Sequence, residues 1–129
     1  MGPVRIGLAA FAALAAFGAA GCSGQAELAA PTEVGVCWHL VRADGQWKFN
    51  RLAANQPQLE HCAARLEEMR IRFMMLGSEG GEVTGAYQGQ FIFLNQRGVY
   101  TARSLSTTPY LAMVRTGDGR LAIPGAITQ

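Results

Sequence analysis

Val34-Gly35-Val36-Cys37-Trp38-His39-Leu40-Val41 is followed by Ala43-Asp44-Gly45-Gln46 and then by Trp47-Lys48-Phe49-Asn50-Arg51-Leu52. Each apolar run is rich in β-branched and aromatic residues and alternates in character, the pattern of a half-buried strand. Asp-Gly between two such runs supplies the positive φ of a tight hairpin turn. The domain therefore opens with a β-hairpin. On its first strand Val34, Val36, Trp38 and Leu40 share one face, and Cys37 lies on the other.

The next segment changes period. Asn55-Gln56-Pro57 opens a helix, with Asn or Gln as cap and Pro tolerated in the first turn. Leu59, Cys62, Ala63, Leu66, Met69 and Phe73 follow at three- and four-residue spacings and form one apolar stripe. Glu60, His61, Arg65, Glu68 and Arg72 lie on the other side, with Glu68 and Arg72 at i and i+4. Ile71 to Leu76 reads equally as the last turns of the helix or as a short strand.

Gly77-Ser78-Glu79-Gly80-Gly81-Glu82 is a loop. Val83 to Leu94 then reads as one long strand. Tyr87, Phe91 and Phe93 fall on its odd face with Gly85 and Gly89, where glycine marks a bulge or a close backbone approach. These aromatics are expected to be core, paired with the helix stripe at Leu59, Leu66 and Met69. Gln96-Arg97-Gly98 turns the chain into strands at Val99–Leu105, Tyr110–Thr116 and, past Gly117-Asp118-Gly119, Arg120–Ile123. The order β-β-α-β-β-β-β predicts an α+β fold: an antiparallel sheet of about five to six strands with one amphipathic helix on one face. One helix cannot cover such a sheet, so some apolar surface is left for a partner.

The N-terminus carries a separate message. Arg5 precedes the apolar run Ile6 to Ala20, and Gly21-Cys22 closes it, the layout of an export signal. Ala19-Ala20-Gly21-Cys22 resembles the lipobox of bacterial lipoproteins, although Ala19 stands where Leu is typical. The resemblance covers residues 1–22 alone. It implies a signal peptide at 1–21, lipidation of Cys22, attachment to the membrane through that lipid and, with Ser23 next, the periplasmic face of the outer membrane. An ordinary signal-peptidase cut near Gly18 to Gly21, giving a soluble periplasmic or secreted protein, and an uncleaved anchor remain open. Residues 22–33 read as the lipidated cysteine and a flexible tether, 34–124 as a single domain and 125–129 as a frayed tail.

Export bears on the cysteines. With Cys22 lipidated, Cys37 and Cys62 are left as a pair in an oxidising compartment, where a disulfide is expected. That bridge removes the thiolates that a zinc site would draw from Cys37, Cys62, His39 and His61, which also lack finger spacings. No metal or cofactor is expected. The formal charge of +2 includes Arg5, and there is no basic tract, so nucleic acid is not expected as a partner. No nucleophile elbow is present, and Glu67 and Glu68 diverge by about 100° on a helix, as suits a solvated face. The chain is read as non-catalytic: an accessory or docking lipoprotein acting by contact with a protein of the cell envelope. The alternative is a domain that binds or processes a small molecule or cell-wall ligand around the glycine-rich loop, through Glu79, Glu82, Gln88, Gln90 and Arg97.

Overall fold

The computed structural model describes Gly2, residues 27–78 and residues 81–125. The signal segment, Cys22, Glu79 and residues 126–129 of the expected tail lie outside the described residues. Seven strands and one helix follow in order: β1 (Cys37–Ala43), β2 (Gln46–Ala53), α1 (Leu59–Met75), β3 (Val83–Tyr87), β4 (Gln90–Asn95), β5 (Gly98–Ala102), β6 (Tyr110–Arg115) and β7 (Leu121–Ala122). They form one sheet, ordered β2-β1-β3-β4-β5-β6-β7, with every pairing antiparallel. The fold is the expected α+β class with one more strand than the sequence suggested.

The extra strand comes from a correction with a physical cause. Val83 to Leu94 is not one long strand but the β3–β4 hairpin, turned by Gln88 (φ 42°) and Gly89 (φ 84°). Two successive positive φ values make the tight turn whose twist matches a hairpin. A two-residue turn pairs Tyr87 with Gln90, so the inward-facing set changes from odd to even positions. Val83, Tyr87, Ile92 and Leu94 therefore join Cys62, Ala63 and Leu66 of α1 in the helix-side core. Phe91 and Phe93 point to the other face, not to the helix stripe.

That second face is a core of its own. Leu40, Ala86 and Phe91 are buried there, with Trp38, Phe49, Phe93 and Leu105 packed around them. The Phe91 ring stacks on Phe49 at 6.2 Å, and Trp38 meets Phe49 edge-on at 6.4 Å. The cover is the last part of the segment read as a tether. Ala30 is buried and Leu28 half-buried against this face. Residues 27–33 are fastened by the Gly89 N–H to the Pro31 carbonyl (2.8 Å), by the Ser106 hydroxyl to the Glu27 carboxylate, and by Arg51 to Glu33 (2.9 Å).

Two buried faces resolve the opposed positions of Cys37 and Trp38. Trp38 belongs to the second core, while Cys37 faces α1 and is disulfide-bonded to Cys62 across a Cα–Cα distance of 5.2 Å. The bond staples β1, the strand next to the β2 edge, to the first half of the helix. Closing about 25 residues stabilises by about 3.5 kcal/mol on the chain-entropy estimate. Reduction is expected to lower the melting midpoint by about 15–25 °C for a domain of this size. Melts with and without dithiothreitol check this, and an unchanged midpoint would remove the staple from the account.

The helix lies across β1 to β4. Gly85 lets it approach: a Cβ there would sit 2.5 Å from both Leu66 Cδ1 and the Trp38 carbonyl oxygen. Gln58 is the N-terminal flank and makes no side-chain cap bond, so neither Asn55 nor Gln56 caps the helix as expected. The C-terminus is ordered instead. Gly77 (φ 92°) follows Leu76, its N–H donates to the Met74 carbonyl (3.0 Å), and the Ser78 N–H donates to the Phe73 carbonyl (2.9 Å). This is a Schellman ending, and it settles Ile71 to Met75 as helix.

Candidate functional site

Three features stand out from this frame: an ion cluster under the helix, an apolar helix end and a cleft at one end of the sheet.

Glu67 was read as solvated, but it is buried, 7% exposed. Arg115 of β6 reaches it with Nε at 2.6 Å and Nη2 at 2.8 Å, and Arg70 with Nε at 2.8 Å. Arg70 also donates to the Gly81 carbonyl (3.1 Å). Burial alone raises the Glu67 carboxyl pKa, but the hydrogen bonds and charges of Arg115 and Arg70 outweigh it and bring the value down to about 2. The same partnership raises Arg115 above its ordinary range, against its own burial. The cluster joins helix, β6 and the loop before β3. All its members are engaged with one another, so it is a structural clasp rather than a reacting centre. Glu67 and Arg70 stand at i and i+3, a spacing the sequence reading passed over, and nothing local announced Arg115.

The helix end is exposed and apolar. Met75 and Leu76 are 80% and 85% exposed, and Ile71, Phe73 and Met74 are each about two-fifths exposed. The expected stripe ran through Met69 and Phe73. The observed buried face turns toward Glu67 and Arg70 instead, and this leaves the last turn's large side chains outside. His39 of β1 lies beside Phe73, ring centres 6.0 Å apart, and burial lowers its pKa.

Of the five residues proposed for a binding surface, the structure gathers two. Glu82 and Arg97 line one cavity of about 340 Å³ with Thr84, Phe93, Asn95 and Tyr100. An adjoining recess of about 450 Å³ is lined by Glu82, Asn95, Gln96 and Arg97. Phe93 and Tyr100 are register partners on β4 and β5. Asn95 shapes the turn, its Oδ1 accepting from the Arg97 N–H (2.7 Å) and the Gly98 N–H (3.2 Å). Gln88 and Gln90 stand at the opposite end of the β3–β4 hairpin. Gln88 is structural there: its Oε1 accepts from the Gly35 N–H at 2.8 Å. The convergence of Glu82 with Arg97 depended on hairpin register and could not be read from spacing.

Among the described residues, no three His, Cys, Asp or Glu side chains are grouped to hold a metal ion. No described helix is long and apolar enough to cross a membrane. In comparisons with protein-family models, curated proteins and solved structures, the chain matches none.

Proposed function

We propose that the chain is a non-catalytic, exported lipoprotein of the bacterial envelope that docks a protein partner through the exposed end of α1. Cys22 carries the lipid in this reading and holds the domain at the periplasmic face of the outer membrane. The observation that carries it is the position of the apolar end. Met75, Leu76 and their neighbours form the kind of exposed apolar group that marks contact surfaces, and methionine adapts readily to a partner's shape. The occupant is an apolar pocket on a second envelope protein.

Orientation supports this assignment. The chain reaches the sheet at the Gln88–Gly89 end, where Pro31 meets Gly89. The helix begins at that same end, where the Tyr87 hydroxyl donates to the Gln56 carbonyl (2.6 Å). Seventeen residues later, about 25 Å away at 1.5 Å per residue, it ends beside the start of β3. Glu27 lies only five steps of chain beyond Cys22, a reach of at most about 18 Å. A lipid on Cys22 thus holds the turn end near the membrane and turns the helix end toward the periplasm.

Crosslinking and pull-down of the intact chain from native envelopes is expected to recover one protein in quantity. Met75→Gln and Leu76→Gln should lose it while shifting stability by no more than about 0.5 kcal/mol, as exposed substitutions do. Glutamine keeps the helix C-terminus free of added negative charge. A Cys22→Ser chain should leave the membrane fraction. Full capture by both helix-end variants would refute the docking surface, and undiminished membrane attachment of Cys22→Ser would refute the anchor.

A further inference from the structure

We infer that the cleft between the β3 start and the β4–β5 turn is a binding site for a short zwitterionic peptide with an apolar side chain. The site is distinct from the helix end and uses neither Met75 nor Leu76.

The argument begins with the two charges. Glu82 and Arg97 line the same cavity, yet no ion pair joins them to each other or to any other described residue. The contrast with Glu67, which holds two arginines at hydrogen-bond distance, is direct. Two opposed charges held on one rim without closing on each other leave a gap that a ligand carrying both signs can bridge. A simple anion would face the Glu82 carboxylate, and a simple cation the Arg97 guanidinium, so each alone meets one unfavourable neighbour.

The wall defines the rest of the ligand. Phe93 and Tyr100 stand side by side on neighbouring strands and give the cavity an aromatic surface. Thr84 and Asn95 add hydrogen-bonding groups beside it. With Asn95 Oδ1 already held by the turn, its amide N–H groups are left to donate to a ligand carbonyl. A cavity of about 340 Å³ lies at the small end of the range for ligand sites, about 300–1,000 Å³. Two residues of extended peptide separate an ammonium from a carboxylate by up to about 7 Å. The carboxylate then meets Arg97, the ammonium meets Glu82, and the apolar side chain lies on Phe93 and Tyr100.

The test is a titration of the intact chain, followed through the backbone amide resonances of Thr84, Phe93 and Asn95, with the dipeptide alanyl-leucine as probe. N-acetyl-alanyl-leucine and alanyl-leucinamide each remove one charge. Saturable shifts are expected for the free dipeptide with Kd on the order of 0.1–1 mM, at least about tenfold weaker for either blocked form. Arg97→Gln should bind the free and amidated peptides equally, and Glu82→Gln the free and acetylated ones. No saturable shift up to about 10 mM, or equal binding of the free dipeptide and either blocked form by the parent chain, would overturn the assignment.

Discussion

Phe91→Ala is expected to lower the unfolding free energy by about 3–5 kcal/mol, the range for deleting a buried aromatic ring. A domain of this size commonly has only about 5–15 kcal/mol in total, so the variant should be largely unfolded at elevated temperature. Phe91 has no exposure and sits at the centre of the second face, stacked on Phe49 and in contact with Phe93. Phe93→Ala should cost roughly half as much, because its only partly buried ring loses less buried area. Thermal melts of the two variants check the order, and a Phe91→Ala protein with the parent midpoint would show that the second face is not a core.

The clasp at Glu67 gives the other large effect. Removing one member of a buried ion pair costs about 3–5 kcal/mol, because the remaining charges stay buried without compensation. Glu67→Gln keeps the shape and removes the charge, so the cost falls on Arg70 and Arg115. The pH dependence follows from the depressed pKa. A carboxyl brought from its ordinary 4.5 to about 2 contributes stability that is fully present above the unfolded value. That contribution is lost as pH falls through about 2, because the unfolded chain takes up the proton first. The difference corresponds to about 3 kcal/mol. Denaturant unfolding at a series of pH values should show the parent losing stability on Glu67→Gln as pH drops from about 5 to about 2, with the two nearly equal at the acid end. A constant gap across that window would mean that Glu67 is not held ionised by its arginines.

How the sequence prefigured these results depends on the range over which each signal acts. The Asp44-Gly45 hairpin, the helix period and the antiparallel order were legible because each rests on a few neighbouring residues. The Cys37–Cys62 pairing followed from the expectation of export and from the lack of another partner. The β3–β4 hairpin was hidden because Gln88-Gly89 is a weaker turn signal than Asn-Gly or Asp-Gly, and the apolar alternation ran on past it. That one missed turn moved Phe91 and Phe93 to the wrong face. Glu67 was hidden for the opposite reason. Its neighbours on the helix look solvated, and Arg115, 48 residues later, joins Arg70 in making burial tolerable. At the cleft, Glu82 and Arg97 were picked out as loop charges, but their meeting beside Phe93 and Tyr100 is a property of strand register. Gln88 and Gln90 looked equally available, and strand direction sent them to the far end.

The strap over the second face also sets an order in time. Glu27 and its partner Ser106 stand 79 residues apart in the chain. Contacts of such separation close late, after local hairpins and helices have formed. Residues 27–33 therefore wait, extended, while β3 to β5 assemble beneath them. During that interval the aromatic surface around Phe49, Phe91 and Phe93 is bare, the condition under which partly folded chains stick to one another. A chain arrested short of Ser106 would lose the fastening at Glu27, leaving the strap held only where Pro31 meets Gly89 and Glu33 meets Arg51.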